Sequence, residues 1–308
     1  MRSRVWLFVV IILIVGVMGR WLWAPAMSAF HEWQVDSVLR EKLAGRLIKI
    51  KMPSRYMRRE NTLFVYLPPG YKKSRTRYPV VYLLHGCPGA GRDWFVKARA
   101  HRTAEKLILS KKIHPLILVS FDGFGPKGPR DHSEFLNSAR GGVQAEDYVV
   151  KELPAFIDSH FRTIRKPGAR ALIGLSSGGY GAVNIGIRHQ DVFRVLASHS
   201  GYFEPEFEDH YVRLMLGPPG PLWDKNDPMK QIKSWRDDKN LHIYIDCGRS
   251  DELYDDNRQF VDELTANGIG HEFIVTNGGH WWRLWRKRLA YSLEYADRRF
   301  RAIKNEGS

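Results

Sequence analysis

Cysteine is nearly absent, with only Cys87 and Cys247 in 308 residues. Two thiols cannot staple a small disulfide scaffold and cannot form paired C-x-x-C zinc ligands. No H-E-x-x-H pair occurs either, so no metal is expected. Neither G-x-x-x-x-G-K-[ST] nor a proper G-x-G-x-x-G is present, so no phosphate cradle and no nucleotide cofactor is expected. Internal repeats, low-complexity tracts and any interdomain linker beyond residue 46 are lacking, which leaves one large domain as the simplest organisation. Acidic residues are scarce: 33 Asp and Glu face 48 Lys and Arg, a formal net charge of +15. Such an excess favours anionic partners, whether lipid headgroups, wall polymers or nucleic acid. Nucleic acid is not expected, because the basic residues are spread along the chain and no recognisable binding module accompanies them.

What is present begins at the N-terminus. Met1-Arg-Ser-Arg4 is basic, Val5 to Gly19 is an almost unbroken apolar run, and Arg20-Trp-Leu-Trp23 follows. This is the pattern of an export signal. Ala24-Pro-Ala26 resembles a cleavage site, yet residues 1–23 also suit an uncleaved signal anchor, with the tryptophans at the interface and Arg20 snorkelling. The anchor is the preferred reading. It predicts a single-pass membrane protein with its main domain on the extracytoplasmic side, and secretion after cleavage is the alternative. Residues 24–45 place Trp33, Val35, Val38, Leu39 and Leu43 roughly at helical spacing, which predicts a juxtamembrane helix.

Beyond residue 46 apolar runs alternate with amphipathic stretches. Strands are expected at Leu47–Met52, Thr62–Leu67, Pro79–Leu84, Pro115–Phe121, Ala171–Ile173, Val195–Ser198, Leu241–Ile245 and Glu272–Thr276. Near-continuous apolar strands separated by helices predict an α/β domain over residues 46–303, its mostly parallel sheet of about eight strands covered on both faces. Residues 304–308 read as a tail. Among the helices, Tyr148–Arg162 carries a stripe of Val149, Leu153, Phe156 and Ile157, with Pro154 marking a kink or a late start. Residues 252–267 end at Gly268, a C-cap residue. The last helix aligns Trp282, Trp285, Leu289, Leu293, Ala296 and Phe300 toward the core. Its other face, with Arg283, Arg286, Lys287, Arg288, Arg298, Arg299 and Arg301, reads as solvated surface, and as a lipid site less readily.

Gly174-Leu-Ser176-Ser-Gly178 joins one of these strands to a helix. A lone G-x-S-x-G means little, but between strand and helix it forms a sharp turn that strains the serine backbone and exposes its hydroxyl. The glycines are needed because a Cβ there would strike neighbouring backbone. A serine hydroxyl is a weak nucleophile, so it requires a base and an acid to orient that base. Of twelve histidines, His280 in Asn277-Gly-Gly-His280 lies just past the last strand, where a loop can bring the imidazole over the sheet edge. His101, His114, His189 and His271 read as surface or strand-entry residues and His242 as a strand residue. His85 and His199 lie near strand ends, His85 shaping the loop that follows its strand. The acid is expected in Asp246-Cys-Gly-Arg-Ser-Asp251-Glu252. Asp251, beyond the glycine turn, is preferred to Asp246, Glu252, Asp255 and Asp256, the bland alternative being a cap for the following helix. Negative charge on a tetrahedral intermediate needs two N–H donors. Ser177 offers one. The loop His85-Gly-Cys87-Pro-Gly-Ala-Gly91 offers the other, and since Pro88 has no N–H the donor is assigned to Cys87.

The series YPVVYLLHG with Trp94 shortly after, then KELPAFIDSHFRT, GLSSGG, IDCGRSDELY and GGHWWRLW, resembles the esterase family of α/β-hydrolases. That family includes esterase D and S-formylglutathione hydrolases, enterochelin esterases, feruloyl esterases of xylanases and mycobacterial mycolyltransferases. The resemblance runs from about residue 50 to 300. It implies the α/β-hydrolase fold, catalytic roles for Ser176, Asp251 and His280, oxyanion donors at Cys87 and Ser177, and structural roles for Trp282 and Trp285. In that fold the strands next to Cys87 and Cys247 are about three positions apart, roughly 14 Å. A disulfide needs Cα atoms within about 7 Å, so both thiols are expected free and buried. Gly201 to Asn240, with Tyr202, Phe203, Tyr211 and Trp223, occupies the place of a lid insertion. Three functions follow in order of preference: a serine ester hydrolase acting on a small-molecule or lipid ester, an acyltransferase to a sugar or lipid alcohol, and a catalytically silent binding protein.

Overall fold

The computed structural model describes residues 27–206, 209–235 and 241–305. The expected signal segment at 1–23 lies outside them, and among the described residues no helix is long and apolar enough to cross a membrane. The chain divides into two compact units, Met1–Lys42 and Leu43–Ser308. In the first unit a helix, α1, covers residues 27–39, and the phenyl ring of Phe30 stacks on the Trp33 indole at 5.9 Å. This helix is shorter than the expected 24–45: residues 40–45 turn out of it, and 24–26 are not among the described residues.

All eight expected strands form. They are β1 Arg46–Ser54, β2 Arg59–Leu67, β3 Val80–Leu84, β4 Ile117–Phe121, β5 Arg170–Leu175, β6 Val195–His199, β7 His242–Gly248 and β8 His271–Thr276. They make one sheet in the order β1-β2-β4-β3-β5-β6-β7-β8. β1 and β2 form an antiparallel hairpin, and β2 runs antiparallel to β4. From β4 to β8 every pairing is parallel. The order reverses direction between β3 and β5, where open α/β sheets place their sites.

The helices are α2 Asp93–Val96, α3 Ala100–Leu109, α4 Ala145–Asp147, α5 Leu153–His160, α6 Ser177–Arg188, α7 His210–Leu216, α8 Pro221–Lys225, α9 Pro228–Ser234, α10 Tyr254–Ala266 and α11 Trp282–Asn305. A strand exposes alternate side chains to opposite faces, and the core follows that alternation. Val80, Tyr82, Leu84, Ile243 and Ile245 join Leu153 and Ile157 of α5, Val183 of α6 and Phe260 of α10 in one cluster. Tyr244, which points the other way, packs against Tyr295 of α11 at 5.4 Å between ring centroids.

The late helix start considered at Pro154 is not seen: helical winding runs without a break from Ala145 to His160, and the proline is marked by a widened turn just before it. Tyr148–Glu152 is wound as a π-helix, and the Leu153 N–H donates to the carbonyl of Tyr148, five residues back. Proline lacks the N–H that would continue regular α winding, and a single widened turn absorbs the mismatch. Two burial readings need correction, one on the last helix and one on α3. Arg288, expected on the solvated face, is 5% exposed. His101, expected at the surface, is buried as well. A charge count along a helix cannot reveal a buried arginine whose carboxylate partner comes from a distant strand.

Candidate active site

The C-terminal ends of β3, β5, β7 and β8 converge on one edge of the sheet, and each contributes a loop. Ser176 follows β5 directly and has φ 52° and ψ −126°, a strained conformation for a residue with a Cβ. A Cβ on Gly174 would overlap the Gly178 carbonyl group, and one on Gly178 would fall 2.5 Å from the His85 carbonyl oxygen. The strand therefore turns into α6 in a space that only glycine fits, and the Ser176 hydroxyl is thrust past the end of the sheet. The Ser176 N–H donates to the His199 carbonyl at 2.9 Å, and its own carbonyl accepts from Gly179 N–H at 2.8 Å.

His280 Nε2 lies 3.0 Å from Ser176 Oγ. On its other side, Nδ1 lies 3.0 Å from Asp251 Oδ1. Three residues separated by 75 and 29 positions are thus brought into one hydrogen-bonded series (251 − 176 and 280 − 251). The two loops that carry Asp251 and His280 lock together at glycines. A Cβ on Gly248 would meet the backbone of Gly278, and the Ser250 N–H donates to the Gly278 carbonyl at 2.8 Å. Asp251 makes both contacts considered for it, since Oδ1 also accepts the Leu253 N–H at 3.0 Å, the geometry of a turn at the start of α10. Burial by itself would raise the Asp251 carboxyl, but the hydrogen bonds with His280 and with Leu253 N–H hold it below the ordinary carboxylate range. It is therefore ionised near neutral pH, as an acceptor for an imidazole N–H must be.

The alternative acid, Asp246, is committed elsewhere. It accepts from His199 Nδ1 at 2.9 Å, from the Tyr244 hydroxyl at 2.7 Å and from Arg288 Nε at 3.1 Å. His199 Nε2 in turn meets Ser292 Oγ at 3.0 Å. This network is wholly buried beneath the site and ties β6 and β7 to α11. Glu252 and Asp255 are exposed and Asp256 is half-buried, and the hydrogen bond to His280 is made by Asp251.

Cys87 and Ser177 also come to the site. A Cβ on Gly86 would lie 3.1 Å from Ser176 Cβ, so the backbone entering Cys87 runs beside the serine. The Cys87–Pro88 peptide bond is cis. Ser177 is the first residue of α6, and its N–H is one of the unpaired donors of a helix N-terminus. His85 does shape this loop: its Nδ1–H donates to the Gly86 carbonyl at 2.9 Å, and its Nε2 accepts the Gly123 N–H at 2.8 Å. Burial pushes the His85 imidazole down to about 3, with the neighbouring His132 adding to the effect, so it is neutral. Cys87 is a free thiol and half-buried rather than buried, while Cys247 is free and buried inside β7.

Three features escape sequence reasoning. Trp285, assigned a purely structural role, sets its ring edge-on to His280 at 4.8 Å and donates from Nε1 to Ser200 Oγ at 3.1 Å. Within the Gly201–Asn240 insertion, Tyr202 stacks on Tyr180 at 4.6 Å and Trp223 joins Leu136, Tyr180 and Val212 in a satellite cluster, whereas Phe203 leaves the site and stacks on Phe260 in the main core. Glu134, at φ 48°, is buried beside the site, where it accepts from the Tyr202 hydroxyl at 2.7 Å and faces His132 Nδ1 at 2.8 Å. Nothing local marks Glu134 in the sequence, because its partners lie in separate loops.

The sequence model of the Esterase family, described as "Putative esterase", matches residues 54–295. Esterase Rv1288 of Mycobacterium tuberculosis is 29% identical over 249 residues, covering 71% of this chain and 52% of that protein. An endo-1,4-beta-xylanase/feruloyl esterase of Xylanibacter ruminicola is 28% identical over 255 residues, covering 80% of this chain and 30% of that protein. The chain thus spans about half, or less, of the length of these two relatives. A solved ferulic acid esterase superposes with a TM-score of 0.74 at 23% identity, covering 84% of this chain and all of that one, which establishes the α/β-hydrolase fold. The family match spans most of the domain, and with it this chain belongs to the Esterase family.

Proposed function

We propose that this protein is a serine ester hydrolase that works through an acyl-enzyme on Ser176. The observation that carries the reading is His280, held 3.0 Å from Ser176 Oγ by one ring nitrogen and 3.0 Å from Asp251 by the other. In this reading neutral His280 takes the Ser176 proton as the oxygen attacks the ester carbonyl. Ionised Asp251 fixes the imidazole's tautomer and stabilises the imidazolium that forms. The developing oxyanion is received by the N–H groups of Cys87 and Ser177. The imidazolium then returns its proton to the leaving alcohol, and a water activated by the same histidine releases the acid. Family membership supports ester chemistry and does not select the acyl group, because function resides in the particular site. The N-terminal pattern supports an extracytoplasmic substrate met at a membrane.

The test is a fluorophosphonate label followed by mass spectrometry, with turnover measured on a panel of acyl esters. The adduct should sit on Ser176, and Ser176→Ala should lose labelling and on the order of 10⁴-fold or more in turnover. An adduct on Ser177, or full activity in Ser176→Ala, would overturn the assignment. Supplying an alcohol acceptor separates the related chemistry: transfer that outruns hydrolysis would make the enzyme an acyltransferase. A folded protein that neither labels nor turns over any ester would be a silent scaffold.

A further inference from the structure

Beside the serine, three side chains converge that the proposed mechanism does not use. Cys87 Sγ, a His132 ring nitrogen and a Glu134 carboxylate oxygen lie within 4.8 Å of one another. Both the His132 and Glu134 side chains are almost wholly buried, at 0% and 2% exposure. Cys87 is half-buried and gives the group its approach from solvent. We infer that Cys87, His132 and Glu134 form a binding site for a divalent thiophilic cation of the zinc class, adjoining the catalytic serine.

The chemistry of the donors supports the assignment. A thiolate, an imidazole and a carboxylate are the ligand types zinc accepts, and three protein ligands leave a fourth position open. Tetrahedral zinc sets its ligand atoms about 3.4–3.8 Å apart, so the widest spacing, within 4.8 Å, must close by roughly 1 Å while His132 Nδ1 and Glu134, now 2.8 Å apart, open by about 0.6 Å. Charge balances as well. A dication with one thiolate, one carboxylate and one neutral imidazole has no net charge, which suits burial. Loading the site replaces the Cys87 S–H bond by a sulfur–metal bond, and the thiol proton leaves to solvent. Glu134 is already oriented by the Tyr202 hydroxyl at 2.7 Å, the kind of outer partner that fixes a ligating carboxylate. A further mark is His132 Nε2, a buried nitrogen without a hydrogen-bond partner.

The consequence rests on the reading of Cys87 as an oxyanion donor. A metal drawn onto its sulfur holds the Gly86–Cys87 backbone toward Glu134, away from the geometry that receives the oxyanion. Zinc then acts as an inhibitor seated next to the serine rather than on it.

Cadmium is the probe, because its bond to a thiolate gives an ultraviolet charge-transfer band. Titrating the full chain with Cd2+ alone should give a band that saturates at one equivalent and persists in Cys247→Ser. It should vanish in Cys87→Ala, and Glu134→Gln should weaken binding by about 10–100-fold, with circular dichroism reporting that each variant is folded. Zn2+ should displace Cd2+ and suppress the band. No saturable band, or one that survives Cys87→Ala, would overturn the site. Should Cys87→Ala fail to fold, an undiminished affinity in Glu134→Gln overturns it instead. An enzyme inactive toward all esters that still shows the Cys87-dependent band would refute the proposed catalysis and leave the metal site standing.

Discussion

Two aspartates lie five positions apart near the end of β7, and the structure predicts opposite consequences for the same substitution. Asp246 is 0% exposed and receives His199, Tyr244 and Arg288, with the Arg288 guanidinium also donating to the Tyr244 hydroxyl. Asp246→Asn removes the charge and leaves a guanidinium buried without its counter-ion. Breaking a buried pair from one side costs about 3–5 kcal/mol, a large share of the 5–15 kcal/mol that typically holds a domain. For a chain of this size each kcal/mol corresponds to about 2–4 °C in Tm, so Asp246→Asn should melt roughly 6–20 °C lower. Below its melting range it should retain activity within a few-fold, because His280 and Ser176 do not touch it. Asp251→Asn should behave in reverse, losing about 10²–10⁴-fold in kcat/KM as the imidazole loses orientation and charge stabilisation. Thermal unfolding followed by circular dichroism, paired with ester hydrolysis well below both melting ranges, reads the two effects separately. Replacing the cation as well, in Asp246→Asn with Arg288→Met, should recover part of the lost stability. A well-folded but inactive Asp246→Asn would refute the reasoning and make Asp246 the orienting acid.

Burial of neutral His85 makes stability depend on pH with a definite sign. The folded imidazole titrates at about 3, while an unfolded histidine titrates near ~6.5, so between these values the unfolded chain binds more protons and stability falls as pH falls. Urea unfolding from about pH 7 to 4 should show this His85 contribution approaching about 1.4 kcal/mol per pH unit, and His85→Gln should remove it; identical slopes would exclude the assignment. Gly178→Ala should disable the site by more than about 10²-fold, because its Cβ meets backbone oxygen atoms that cannot yield and would push α6 and Ser176 off β3. Gly141→Ala is the control: at φ 69° with open space around it, strain of about 1–2 kcal/mol is expected and unchanged turnover. For the N-terminal anchor, carbonate-washed membranes should retain the protein, and release with a new N-terminus near Ala26 or Ala29 would establish cleavage instead.

By itself the sequence determined the strands, because runs such as Val80–Leu84 are apolar on both faces and can be stable only inside a covered sheet. It also located the turn at Ser176, whose glycines answer a purely local demand for space, and it placed His280 and Asp251 in loops after the last two strands. What it could not decide was partnership. Asp246 and Asp251 are the same chemical group five residues apart, and only the packing of α11 against β6 and β7 gives one to Arg288 and His199 and leaves the other to His280. Arg288 reads as a surface cation from its neighbours on the helix, yet it is buried because Asp246 approaches from the strand side. The convergence of Cys87, His132 and Glu134 is likewise a product of tertiary structure, with the first two ligands 45 positions apart (132 − 87) and no local motif to announce it. Periodicity records which face a residue turns to the core. The identity of the group waiting there is set by chain segments far away in sequence, and that is settled only when the fold closes.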